Sequence, residues 1–243
     1  VLYVVNAGSD NIAGFRVGAD GDLTYLPGSS RALSGTGTAP AQISFTPDGK
    51  NLVVTEKATN NVLTFPLDRD GLAGAPLIFA SPGATPFGFD FTRGRKLLVS
   101  EAVGGAAGLS SVTAWRHLPQ GELNVLDPAV PTGESAACWV AVTPDGRYAY
   151  TTNTASGNLS AYRIRGSRLQ LVDADLSSAS LAASAGAGSA PIDLAITPNG
   201  DFLSTLNIGT DTVSSFRIGP DGDLELVDTL TGLPDRASGL VSR

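Results

Sequence analysis

The chain has 243 residues, a formal net charge of −7, 16% charged residues and 42% hydrophobic ones. An acidic balance without clustered Lys/Arg argues against a phosphate-backbone partner, and no apolar run is long enough for a membrane-spanning helix, so neither nucleic acid nor a membrane is expected as a partner. A single cysteine, Cys138, excludes an intrachain disulfide, and with one histidine, His117, there is no zinc site of the usual N/S type; neither metal nor cofactor is expected.

The first element ends in Tyr3-Val-Val-Asn6, a signature that returns as Val53-Val-Thr-Glu56, Leu98-Val-Ser-Glu101, Tyr150-Thr-Thr-Asn153 and Ser204-Thr-Leu-Asn207. The period of about 50 residues is that of a repeat array in which each unit is one small sheet burying its faces against its neighbours. A short polar connection follows each signature and leads to a third β-like run carrying an aromatic: Phe15, Phe65, Trp115, Tyr162 and Phe216. Tight turns such as Asp20-Gly-Asp22 and Asp221-Gly-Asp223 then lead to a fourth run, for example Leu224-Glu-Leu-Val227.

A turn also precedes most of the signatures: Thr46-Pro-Asp-Gly49, Thr143-Pro-Asp-Gly146 and Thr197-Pro-Asn-Gly200, with Thr92-Arg-Gly-Arg95 in the remaining unit. Proline presets φ and Asp/Asn-Gly tolerates the left-handed region, so the chain reverses there between antiparallel strands. The strand before each turn alternates. Ile43, Phe89, Val140, Leu194 and Leu240 form a mostly bulky column, whereas Gln42, Gly88, Trp139, Asp193 and Gly239 form one of the small or polar columns. Period two puts these sets on opposite faces, the apolar set between units and the small/polar set toward a crowded central axis.

Four short strands per unit predict an all-β fold, a β-propeller of five four-stranded blades forming one domain over residues 1–243. The chain starts on a second strand and ends on a first-strand pattern, so residues 237–243 are expected to pair with residues 1–6 and close the ring.

The Pro-Asp-Gly turns and Tyr-Val-x-Asn-like strands, with Thr85-Pro-Phe-Gly-Phe-Asp-Phe91, Leu98-Val-Ser-Glu-Ala102 and Ala136-Ala-Cys-Trp-Val140, resemble the lactonase-type, YVTN-repeat β-propeller family that includes 6-phosphogluconolactonase. The resemblance spans the chain and implies the propeller fold and a lactone-hydrolysing activity. Family members usually have seven blades. The five counted here begin at about the third, which implies either a complete five-bladed ring or two blades absent from the front. The resemblance also implies His and Arg near the central channel, whereas the sole histidine, His117, falls in a column with Val17, Leu67, Ile164 and Ile218, at an edge position beside a tight turn.

The longer connections, residues 28–39, 102–110, 127–137 and 173–190, emerge opposite the tight turns and surround the channel mouth, where a small-molecule ligand is expected. There the repeat's Asn becomes Glu56 and Glu101, candidate catalytic carboxylates for water attack on an ester; the competing use is satisfying backbone N–H groups at a strand end. Lys57, Gln42, Asp90, Trp139 and Asp193 are the candidate ligand-binding residues, and hydrogen bonding between first strands is the competing use of the polar ones. The functional expectation is hydrolysis of a small cyclic ester. The alternatives are a non-catalytic ligand- or protein-binding propeller, or a truncated or engineered five-blade ring without native activity. Because Val1 is not an initiator Met, a secreted or periplasmic location is open if a leader was removed.

Overall fold

A computed structural model describes residues 1–172, 183–235 and 237–242. Among them it contains five antiparallel sheets and one three-residue 3-10 turn, Val103–Gly105. Each sheet is a propeller blade.

Blade 1 holds β1 (Leu2–Asn6), β2 (Asn11–Val17), β3 (Leu23–Tyr25) and β4 (Arg31–Ala32), the last two both pairing with β2. Blade 2 runs in chain order through β5 (Pro40–Phe45), β6 (Asn51–Glu56), β7 (Asn61–Pro66) and β8 (Leu77–Ala80). Blade 3 does the same with β9 (Pro86–Phe91), β10 (Lys96–Glu101), β11 (Ser111–His117) and β12 (Leu123–Pro131). Blade 4 comprises β13 (Ala137–Val142), β14 (Tyr148–Asn153), β15 (Asn158–Arg165) and β16 (Arg168–Leu171), with β17 (Ala183–Ser184) also on β15. Blade 5 is β18 (Pro191–Ile196), β19 (Phe202–Asn207), β20 (Thr212–Ile218) and β21 (Leu224–Thr231).

The proline turns form as their sequence dictates. Gly49 sits at φ 67° and donates its N–H to the Thr46 carbonyl at 2.8 Å, while the Thr46 hydroxyl reaches Asp48 at 2.7 Å. In the turn without proline, Arg95 takes the left-handed conformation at φ 63°.

Apolar clusters lie between successive blades, as the first-strand alternation requires. Tyr3 and Ile12 of blade 1 meet Leu52, Leu63 and Phe65 of blade 2, and Val53 and Val62 of blade 2 meet Phe89, Leu97 and Trp115 of blade 3. The aromatic on each third strand therefore faces the preceding blade. Phe65, Trp115, Tyr162 and Phe216 are buried, whereas Phe15 is only half-buried beside Tyr25, because no sheet among the described residues covers that face of blade 1. The regular column thus breaks at one end for a packing reason.

Two expectations are corrected. Residues 237–242 form no strand, and the described ladder of β1 is with β2 alone, so the expected pairing of the terminal segments is not made. The Leu240 N–H is taken instead by Asp193, which holds this segment beside blade 5. His117 is also no edge residue: it is buried, with Nε2 3.0 Å from Asn51 Nδ2, and links blade 3 to blade 2 at the tight-turn end.

Candidate functional site

The first strands β5, β9, β13 and β18, with residues 240–242, surround a cavity of about 670 Å3. Gln42, Asp90, Trp139 and Asp193 all line it, so four of the five expected ligand-binding residues are brought together, each from a different strand. Their columns project inward because the alternating apolar residues are held between blades.

The polar members also connect neighbouring strands. Gln42 donates from Nε2 to the Phe89 carbonyl at 3.0 Å and accepts from the Phe89 N–H at 2.8 Å. Asp90 accepts from Phe91 N–H at 2.7 Å and from Val142 N–H at 2.8 Å; Asp193 accepts from Leu194 and Leu240 N–H, both at 2.8 Å. Gln42 and Asp90 bond the following first strand and Asp193 bonds the segment 237–242, so backbone donors that have no ladder partner across the axis are satisfied by side chains. Burial pushes both aspartates above the usual carboxylate range, against the lowering effect of these bonds. A carboxylate with a raised pKa inside a cavity suits proton transfer.

Trp139 packs over the bare backbone of Gly88: a Cβ there would lie 2.5 Å from the indole. Phe87 meets the indole edge-on at 5.3 Å between centroids, and Lys57 Nζ lies 4.9 Å from the centre of the Phe87 ring. Lys57 is therefore engaged with Phe87 outside the cavity lining. Phe87 is a neighbour that the sequence reading overlooked, although the pairing of the bulkiest residue of its column, Trp139, with adjacent glycine Gly88 signals a side chain lying across the next strand.

Glu56 and Glu101 are fully buried, and neither lines the cavity. Glu56 accepts from Ser34 N–H at 2.9 Å, from the Ser34 hydroxyl and from the Thr59 hydroxyl at 2.5 Å. Glu101 accepts from Gly83 N–H at 3.0 Å and from the hydroxyls of Ser81 at 2.9 Å, Thr113 at 2.6 Å and Ser111. Each carboxylate ties the loop entering its blade to the second strand. Asn153 and Asn207 instead donate, to Asn158 and Ser160 and to Thr212 and Ser214. What sets the Glu sites apart is a loop N–H donor, from Ser34 to Glu56 and from Gly83 to Glu101, which a carboxylate accepts.

The connection at 173–190 falls partly outside the described residues. No group of three or more His, Cys, Asp or Glu suited to a metal ion occurs among the described residues. No helix among them is long and apolar enough to cross a membrane. Cys138 is half-buried, and burial pushes its thiol up, away from the reactive thiolate.

The fold is shared with solved propellers. A Lactobacillus plantarum protein superposes with a TM-score of 0.79 at 18% identity, covering 96% of this chain and 68% of that one. A candidate 6-phosphogluconolactonase of Bacteroides fragilis gives 0.75 at 19%, covering 97% and 69%. A periplasmic gluconolactonase of Pseudomonas aeruginosa gives 0.71 at 20%, covering 93% and 66%. No curated protein matches the sequence. The family described as "Lactonase, 7-bladed beta-propeller" matches residues 92–235, more than half of the chain. With the Asn/Glu-ended second strands, the first-strand cavity and this match in hand, the chain belongs to the lactonase family of β-propellers.

Proposed function

We propose that the chain binds a small cyclic ester over its first strands and hydrolyses it there. The observation that carries this reading is the convergence of Gln42, Asp90, Trp139 and Asp193 from four strands on one cavity. Asp90 or Asp193, ionised, takes a proton from water as it attacks the ester carbonyl, and the proton then passes to the ring oxygen as the C–O bond opens, giving a hydroxy acid. Each carboxylate oxygen retains lone-pair capacity beyond its one backbone bond. Glu56 and Glu101, whose oxygens accept from the loops entering their blades and from neighbouring hydroxyls, are assigned to holding the loops.

Acid release from a panel of lactones, followed at constant pH, tests this reading. Turnover above background that falls at least about a hundredfold in Asp90→Asn or Asp193→Asn supports it. No release from any lactone ends it. Two observations favour binding without turnover: both aspartates already accept backbone N–H groups from neighbouring segments, and among the described residues no cationic side chain lines the cavity to stabilise an oxyanion. Calorimetric binding of a lactone without acid release would select that second reading.

A further inference from the structure

We propose that the joint between blades 3 and 4 holds a monovalent cation of sodium or potassium size, with Glu134 Oε1, Asn153 Oδ1 and Thr151 Oγ1 among its ligands. None of the three residues lines the first-strand cavity, so the inference stands apart from the cyclic-ester reading.

The position arises from one departure in the repeat. Each loop entering blades 2 to 5 reaches its first strand through a left-handed residue, Ala39, Thr85, Ala136 or Ala190. Two residues earlier stand Gly37, Gly83, Glu134 and Gly188, so only blade 4 has a side chain there. In blade 3 a Cβ at this position would lie 2.2 Å from Oε2 of Glu101, which ends the second strand. Glu101 pairs with Ser111 as Asn153 pairs with Asn158, so the same placement sets the Glu134 side chain against Asn153.

Glu134 is 6% exposed, and Thr151 and Asn153 are fully buried. Glu134 Oε1, Thr151 Oγ1 and Asn153 Oδ1 each have no hydrogen-bond partner among the described residues. The Asn153 amide already donates within blade 4, to Asn158 Oδ1 at 2.8 Å and Ser160 Oγ at 2.9 Å, so it has no proton left for Glu134. Blade 5 carries the same two residue types at the same spacing. There the Thr205 hydroxyl donates to Asn207 Oδ1 at 3.1 Å, and the loop position is Gly188. In blade 4 that bond is not made, and a carboxylate enters beside the pair.

A buried carboxylate oxygen without a donor is costly unless a positive charge meets it. No ion pair among the described residues reaches Glu134, and the undescribed stretch of the same blade, residues 173–182, contains no Lys, Arg or His. Carboxylate, amide and hydroxyl oxygens are hard donors, the set that non-transition cations take. One carboxylate neutralises one positive charge, whereas a divalent ion would leave an uncompensated charge in the interior. The Thr151 hydroxyl offers lone pairs to the ion and its proton to a neighbouring oxygen.

The test is urea unfolding of the full chain at fixed ionic strength, with choline chloride replaced stepwise by sodium or potassium chloride. The unfolding midpoint should rise with at least one of the two cations and then level off. That rise should vanish in Glu134→Gly, which restores the residue of the other blades, and in Glu134→Gln, which keeps the side-chain shape without the charge. Identical midpoints in choline, sodium and potassium overturn the inference, and are what a buried water or a proton shared between Glu134 and Asn153 would give. This comparison needs only the unaltered protein, so it decides the matter even where a variant fails to fold. A midpoint raised by calcium alone, or an equal rise in Glu134→Gln, also overturns it.

Discussion

Asp193 accepts the backbone N–H of Leu240 at 2.8 Å, although residues 237–242 belong to no strand. The bond repeats, three blades on, the contact by which Gln42 accepts the Phe89 N–H, because Gln42 and Asp193 share one column of the first-strand pattern and Phe89 and Leu240 share the next. Leu240 therefore sits where a following first strand would sit, without a second strand paired to it. The expected consequence is a local one. Asp193→Ala should abolish amide-exchange protection at Leu240 while leaving protection in β18 and β19 intact; unchanged protection at Leu240 would show that the bond does not hold the segment.

The aromatic column offers an internal comparison. Phe65 is fully buried between blades 1 and 2, so Phe65→Ala should cost about 3–5 kcal/mol in denaturant unfolding. Phe15, half-buried at the same repeat position, should lose markedly less, about 1 kcal/mol, on the same substitution. Equal losses would mean that the exposed face of blade 1 is covered in solution.

Glu101 and Gly83 form a matched pair, since a Cβ at position 83 would lie 2.2 Å from Glu101 Oε2. Blade 4 inverts the arrangement: Glu134 stands two residues before the left-handed Ala136, as Gly83 stands before Thr85, and the second strand ends in Asn153. Gly83→Ala should thus destabilise by about 1–3 kcal/mol, and the shorter Glu101→Asn background should relieve part of that loss. A double-mutant cycle with coupling below about 0.5 kcal/mol would contradict this.

Glu56→Gln and Glu101→Gln remove charged acceptors from buried donors and should each lower stability by about 1–3 kcal/mol. Ligand binding at the cavity should be unaffected, as read by calorimetry. Retained stability with lost binding would return these residues to the site.

His117 supplies a pH dependence. Burial holds its pKa below the ordinary imidazole value, with Arg95 acting in the same direction and Asp48 and Glu122 opposing. The unfolded chain therefore takes up the proton first. Its contribution to stability is complete above about pH 6.5 and is lost as pH falls toward the lower folded value. The neutral ring is also what allows Nε2 to accept from Asn51 Nδ2 while that amide donates to the Pro119 carbonyl at 3.2 Å. Unfolding free energy measured from pH 8 to 5 should decline below 6.5, and His117→Gln should flatten that decline.

The repeat, its turns and the direction of the first-strand side chains were legible in the chain alone, because period-two alternation and Pro-Asp-Gly geometry are local properties that neighbouring blades only reinforce. Gln42, Asp90, Trp139 and Asp193 were readable as inward-facing for the same reason. Tertiary structure decided what local pattern does not encode. Whether Glu56 and Glu101 face a ligand or a loop depends on which donors the incoming connection places beside them, Ser34 in one case and Ser81 and Gly83 in the other. Whether the last segment pairs with β1 depends on the angular spacing of blades around the axis, and there the nearer acceptor, Asp193, takes the Leu240 donor. His117 was misplaced because its column is apolar in every other repeat, and only the docking of blade 3 on blade 2 brings Asn51 within reach of its ring.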